Sequence, residues 1–184
     1  MTLTKTPICN FGEKAKNFKL LSTENTKVSL DDVKGENGTL IMFICNHCPY
    51  VKAGIKEIVQ DVKFLEGQDI KSVAIMSNDV KNYPEDSFEN MISFSNLHNF
   101  SFPYLIDESQ KVAKNYGAVC TPDFFGYNKN FELQYRGRIR ELKNLKPIRK
   151  GNSDLSIAME QIAKSGNGPK NQIPSMGCNI KWIK

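Results

Sequence analysis

Two cysteines and a histidine fall within four positions of the segment FICNHCPYVK, at Cys45, His47 and Cys48, and Pro49 follows at once. Two chemistries use this spacing. Such a thiol pair can close and open a disulfide, exchanging two electrons with a partner, or it can give two thiolates to zinc or copper(I). The thiolate is the reactive form, and a helix N-terminus stabilises it through unpaired N–H groups and the positive end of the helix dipole. Cys45 is therefore expected at the helix start as the attacking thiolate. His47 is expected to support it by charge or hydrogen bonding, and Cys48, one turn further, to resolve. Pro49 suits the first helical turn, where its missing N–H leaves nothing unpaired.

These residues need a strand before them and a helix after. The apolar run TLIMFIC predicts a buried strand. Val51, Ile55, Ile58, Val59, Val62 and Leu65 then recur at helical spacing among charged residues, which predicts an amphipathic helix. IKSVAIMS is a second apolar strand, so the unit reads strand, cysteine turn, helix, strand, with a parallel pair and a right-handed crossover. KNFKLLS and TKVSL predict an N-terminal hairpin. Downstream, a helix capped by Asp86 or Ser87 is expected to turn Phe88, Met91, Ile92 and Leu97 inward, and SQKVAKNYG is a short helix ended by Gly117. DFFGYN and FELQYRG form a hairpin with positive φ expected at Asn130. SDLSIAMEQIAKSG is a last helix, capped by Ser153 or Asp154 and stopped by Gly166. The Gly- and Pro-punctuated tail, apolar at Ile180, Trp182 and Ile183, is expected to dock back, with Trp182 in the core.

The 184 residues, 40% hydrophobic and 24% charged, fit one domain over 1–184. No apolar run reaches the roughly 20 residues that span a bilayer, and the start lacks the apolar stretch of a secretory signal, so a cytoplasmic, membrane-free protein is expected. The net charge of +5 is spread along the chain apart from YRGRIRELKNLKPIRKG, which reads as a solvated basic face rather than a nucleic-acid surface. Five cysteines in a reducing compartment argue for catalysis, sensing or metal binding over a disulfide framework.

The apolar strand, CNHC, the helix, and later GAVCTPDFFGYNKNFELQYRG resemble the thioredoxin superfamily. TPDFF resembles its cis-proline loop. The resemblance implies an α/β thioredoxin-like fold: a central mixed sheet flanked by helices, with the N-terminal hairpin as an extension and the C-terminal tail docked. It also implies that Pro122 is cis and lies against the CxxC, and that Thr121 offers backbone hydrogen bonds to a bound substrate chain. FICNHCPYVK, SNDVKNYPEDS, YGAVCTPDFF and PSMGCNIKW together resemble the peroxiredoxin-like branch, the redoxin-domain proteins of that superfamily. The chain departs from that branch after Arg138, where IRELKNLKPIRK stands in place of an acidic loop. True peroxiredoxins carry PxxxTxxC. With Cys48 set at the peroxidatic position, Cys45 replaces the threonine and Ile41 the proline, so peroxide reduction is a secondary reading.

The remaining cysteines stay open. Cys9 reads as an incidental or packed thiol. Cys120, beside the cis-proline loop, is either a packing residue or a third functional thiol, and Cys178 in the tail either anchors the C-terminus or resolves, gates or binds metal. His98 reads as a helix-end residue. The sequence thus favours a thiol-disulfide oxidoreductase without cofactor or resident metal, acting on protein or small-molecule disulfides and thiols. The alternative is a thiolate metal module built from Cys45, Cys48 and one or both of Cys120 and Cys178. Oligomeric state is not legible.

Overall fold

The structure, a computed structural model, describes residues 2–7 and 10–184. Cys9 lies outside them. The strands are β1 Leu3–Lys5, β2 Lys19–Ser22, β3 Lys27–Ser29, β4 Gly38–Phe43, β5 Ile70–Met76, β6 Tyr104–Ile106, β7 Cys120–Thr121, β8 Asp123–Asn128, β9 Leu133–Tyr135, β10 Leu142–Lys143, β11 Lys146–Pro147 and β12 Met176–Asn179. The helices are α1 Pro49–Glu66, α2 Phe88–Leu97, α3 Lys111–Tyr116 and α4 Asp154–Ser165.

A seven-stranded mixed sheet in the order β3-β2-β6-β5-β4-β8-β9 forms the centre. β4 runs parallel to β5, and β5 to β6, while β8 returns antiparallel along β4. Because helices cover both faces, the central strands are apolar at successive positions rather than at alternate ones. Period two still sorts their side chains. Leu40 and Met42 of β4 join Phe124 under α1 and α4, while Ile41 and Phe43 join Phe125 and Tyr127 on the face covered by Val112, Ala113 and Tyr116 of α3. Each fully buried Leu, Ile or Phe in these layers contributes roughly 1.5–3 kcal/mol relative to exposure. The layers therefore fix the end of β4, where the cysteine turn begins.

The hairpin β2–β3 forms as expected, and β2 continues into the main sheet by pairing with β6. Ser153 caps α4, accepting from Ser156 N–H at 2.8 Å, and Gly117 and Gly166 end their helices in the left-handed region. Several expectations need correction. Ser87 caps α2, but Asp86 does not. Phe94 is turned inward together with Met91, whereas Leu97 is 74% exposed at the helix end. In the β8–β9 hairpin the positive φ falls on Phe131, not Asn130. Asn128 Oδ1 accepts from the N–H groups of both Asn130 and Glu132, which closes a four-residue connection instead of a two-residue one. The tail docks through Ile180, but Trp182 is 37% exposed, with the Lys114 ammonium over its ring, and is not core.

A second, three-stranded sheet of order β1-β12-β7 sits over the cysteine turn. β12 is its middle strand. It pairs antiparallel with β1 on one side and with β7 on the other, placing Cys178 opposite Thr121.

Candidate active site

β4 ends at Phe43, α1 begins at Pro49, and the turn between them carries Cys45, His47 and Cys48. The N-cap of α1 is Cys48, not Cys45. Both cysteines are closed off from solvent, Cys45 at 1% exposure and Cys48 at 0%, so the helix-start thiol expected at Cys45 is not found there. Pro49 takes the first helical position, which moves the free N–H groups one turn along from Cys45.

The cis Thr121–Pro122 bond expected from the resemblance is present and faces this turn. Thr121 Oγ1 lies 3.3 Å from Cys45 Sγ, and Thr121 O accepts the Cys48 thiol at 3.1 Å. Thr121 therefore touches both sulfurs, one through its side chain and one through its carbonyl.

The two thiols are driven apart in acidity. Cys48 is lowered from the usual thiol value to about 4, first by the Cys45 S–H held against it, then by the Cys178 thiol and by the backbone N–H groups of Val51 and Cys178, with burial opposing. The contact with Thr121 O works against the anion, since only the neutral thiol can donate to it. Cys45 moves well above the usual range because it gives its proton toward Cys48, because it is buried, and because the Asp86 carboxylate is near. The pair shares one proton: burial and the Asp86 carboxylate work against an anion at Cys45, while the Val51 and Cys178 N–H groups support one at Cys48.

His47 does not bond either sulfur. Its Nδ1 lies 2.6 Å from Asp86 Oδ2, and its ring stacks on Tyr83 at 5.7 Å with planes 8° apart. Asp86, fully buried, also receives Asn46 N–H at 2.8 Å, His47 N–H at 3.3 Å and Asn78 Nδ2 at 2.8 Å. This carboxylate pins the backbone of the cysteine turn. It holds His47 above its ordinary value, while the imidazole and the amide donors keep Asp86 below the usual carboxylate range despite burial. Tyr104 closes the shell by donating to Asn46 Oδ1 at 2.9 Å. Sequence reasoning missed the part played by Asp86. The only signal was an acidic residue next to a helix start, and capping explained it equally well.

Behind the loop, Arg136 pairs with buried Asp123 at 3.0 Å, donates to Gly117 O at 2.7 Å and lies over the Phe125 ring, tying β8 to the chain entering β7. Burial raises Asp123 to about 6, with the guanidinium opposing. Cys120 points away from the pair. Its Sγ reaches Pro122 O at 3.7 Å and burial pushes its thiol far up, the signature of a packed residue. Cys178 is different: it is 4% exposed and its thiol lies within hydrogen-bonding reach of Cys48 Sγ. Burial and the neighbouring Cys48 push it up to about 12. His98 caps the end of α2, away from this site.

Among the described residues, Cys45, Cys48, Cys120 and Cys178 do not converge as four metal ligands. Among the described residues, the one trio of metal-ligating atoms within 4.8 Å of one another is that of Cys45, His47 and Asp86. Two of its members already satisfy each other through the 2.6 Å bond. A cavity of about 490 Å³ opens beside Pro122 and Tyr50, walled by the segment 138–145 and by tail residues 173–176. Four arginines of the basic segment are in ion pairs: Arg136 with Asp123, Arg138 with Glu141 and Asp154, Arg140 with Glu57, and Arg149 with Asp154.

No curated protein matches the chain. An uncharacterised conserved protein from Geobacillus kaustophilus matches with TM-score 0.94 and 38% identity, over 100% of this chain and 97% of that one. A hypothetical protein from Sinorhizobium meliloti 1021 matches with TM-score 0.90 and 34% identity, over 98% of each. The thioredoxin domain of a thiol-disulfide oxidoreductase from Bacteroides vulgatus matches with TM-score 0.60 and 14% identity, over 74% of this chain and 91% of that one, which shows a thioredoxin-like fold. The AhpC/TSA family matches residues 11–142. The chain belongs to the AhpC/TSA family, the redoxin side of the thioredoxin fold, and its role is a redox one.

Proposed function

We propose that the protein is a thiol-disulfide oxidoreductase in which Cys48 is the attacking thiolate and Cys45 the resolving thiol. One observation carries this reading: Cys48 caps α1 in contact with the Cys45 thiol, against the cis Thr121–Pro122 loop. The order of attack is the reverse of the one expected from sequence position.

In the forward direction Cys48 S⁻ attacks one sulfur of a partner disulfide. A Cys48–partner bond forms and the second partner sulfur leaves as a thiolate. Cys45 then attacks Cys48 Sγ, the partner's first sulfur leaves, and the Cys45 proton follows it. The pair is oxidised by two electrons and the partner becomes two thiols. Thr121 Oγ1, 3.3 Å from Cys45 Sγ, is placed to hold that proton or to donate to the developing Cys45 thiolate. Asp86 acts through the turn, fixing the backbone at Asn46 and His47 so that the two sulfurs stay in register, and its charge keeps Cys45 protonated until the mixed disulfide forms. The partner is a protein or low-molecular-weight disulfide, met in the cytoplasm, and no metal or organic cofactor takes part.

The test is turnover of glutathione disulfide by the reduced chain, with a dithiol as final donor and hydrogen peroxide run in parallel. The reading expects disulfide turnover that falls to background in Cys48→Ser, together with a mapped Cys45–Cys48 disulfide in the oxidised chain. Oxidation by peroxide far faster than by any disulfide would make the protein a peroxidase instead, and the absence of any reversible two-electron change would end the exchange reading.

A further inference from the structure

Strand β12 is a segment of this chain lying where the resemblance puts a partner's strand. Cys178 is opposite Thr121 in the antiparallel pairing, so the Thr121 backbone expected to bind substrate is already in use. The fit is close. A Cβ on Gly177 would stand 2.1 Å from Thr121 O, so no larger residue fits there without moving the loop. Ser175 Oγ donates to Pro122 O at 2.7 Å, Ile180 N–H to Val119 O at 3.1 Å, and Lys181 N–H to Asn78 Oδ1 at 2.9 Å. β1 pairs with the outer edge of β12 and closes it. A strand held this way brings its cysteine onto Cys48 rather than into the apolar layers alone.

We propose that Cys178 is a third member of the exchange, borne on an intramolecular stand-in for a partner strand, and that it forms a Cys48–Cys178 disulfide. Cys48 is the shared sulfur: the Cys45 thiol and the Cys178 thiol both lie against it, and Cys178 is held there by its pairing with Thr121. The proposal rests on the thiol-exchange reading. Starting from the Cys45–Cys48 disulfide, Cys178 loses its proton and attacks Cys48 Sγ. The Cys45–Cys48 bond breaks, the Cys48–Cys178 bond forms, and Cys45 leaves as a thiolate that takes up the proton. No oxidant is consumed. Starting from a Cys48–partner mixed disulfide, the same attack releases the partner thiolate, and the Cys178 proton goes with it. In the Cys48–Cys178 form the tail already paired with Thr121 is held there covalently, so the reactive sulfur and the docking edge stay closed together. Attack by Cys45 on Cys48 reverses this. Cys178 attacks as the thiolate, and burial together with the neighbouring Cys48 holds its thiol above the usual range, so the latching step speeds up as pH rises.

The experiment uses the full chain, fully reduced and then treated with glutathione disulfide, followed by acid quenching, alkylation and mapping of disulfide-linked peptides. In the unaltered protein the expected result is a Cys48–Cys178 linkage beside Cys45–Cys48, with its share rising as pH is raised. In Cys45→Ser the glutathione adduct on Cys48 should be short-lived, giving way to Cys48–Cys178. In Cys45→Ser combined with Cys178→Ser the adduct should persist, with a lifetime at least about tenfold longer. Cys178→Ala replaces Cys178→Ser if the hydroxyl disturbs docking of the tail, and the unaltered chain needs no substitution at all. If the adduct on Cys48 lasts equally long in the single and double variants and no Cys48–Cys178 peptide appears in the unaltered chain, the role of Cys178 is refuted while exchange through Cys48 stands. If no adduct forms on Cys48 in any variant, the exchange reading has failed as well.

Discussion

Cys120 and Cys178 sit on adjacent, hydrogen-bonded strands beside the same proline, yet only one of them meets the Cys45–Cys48 pair. The difference follows from the two-residue period of a strand. Cys120 and Thr121 are successive, so their side chains point to opposite faces of β7. Thr121 faces Cys45 and Cys48, and Cys178, its cross-strand partner, shares that face. Cys120 is paired with Asn179 instead and turns to the Pro122 carbonyl. Closeness in sequence to the cis-proline loop thus says little about a thiol's role, whereas the face on which it projects says a great deal.

The comparison breaks most sharply through substitution. Cys48→Ser should bring disulfide exchange to background, while Cys120→Ala should leave the rate within about twofold and cost about 1 kcal/mol of stability through the small buried void. A rate assay on both variants, with thermal unfolding of each, tests this. Loss of exchange in Cys120→Ala without loss of stability would put Cys120 back in the reaction.

Asp86 offers the next largest effect, and sharpens the contrast between a sulfur that stays neutral and one that ionises. Removing its side chain in Asp86→Ala strands three donors and the His47 imidazole, a loss of about 3–5 kcal/mol for a buried pair. The conservative Asp86→Asn keeps the shape. There the signature is pH dependence. His47 is raised above 6.5, so its share of the pair's stabilisation is complete below 6.5 and fades as pH rises through the higher folded value. Asp86 is lowered below 3.8, so its share is complete above 3.8 and fades as pH falls through the depressed value. The two shares describe one interaction. The melting temperatures of the unaltered chain and of Asp86→Asn should differ most between pH 3.8 and 6.5 and approach each other on either side. A difference that stays flat from pH 4 to 9 would remove the ion pair from the account.

What the sequence made legible was whatever local pattern decides. β4, α1 and β5 were readable because an apolar run, a helical repeat and another apolar run leave few alternatives, and the cis-proline loop was readable from TPDFF. β6 was not singled out, since YLI is three residues long and becomes a strand only by lying between β2 and β5. Asp86 was read as a cap because its partners, Asn46 and His47, are about 40 positions away and no local rule links them. Cys45 was given the helix start because CxxC spacing leaves the first helical residue undetermined, and Pro49 settles it one turn later. Leu97 and Trp182 show the converse failure: apolar character alone does not place a residue at an element's end inside the core.

The smallest expected effect in this series concerns the tail. Gly177→Ala should loosen β12 from Thr121 by forcing the strand away from its carbonyl, raising amide exchange over residues 176–179 while leaving the main sheet protected. Unchanged protection there would mean the strand tolerates the methyl group and that its close approach is incidental.

The account turns on which sulfur carries the negative charge, and alkylation of the reduced chain against pH measures it directly. With iodoacetamide at a range of pH values and the modified cysteine identified by mass, the rate at Cys48 should hold level through the neutral range and fall away only as pH drops through about 4, while Cys45 stays unmodified. A profile that maps instead to Cys45, or a Cys48 rate that keeps climbing toward the ordinary thiol value of 9.0, would contradict it.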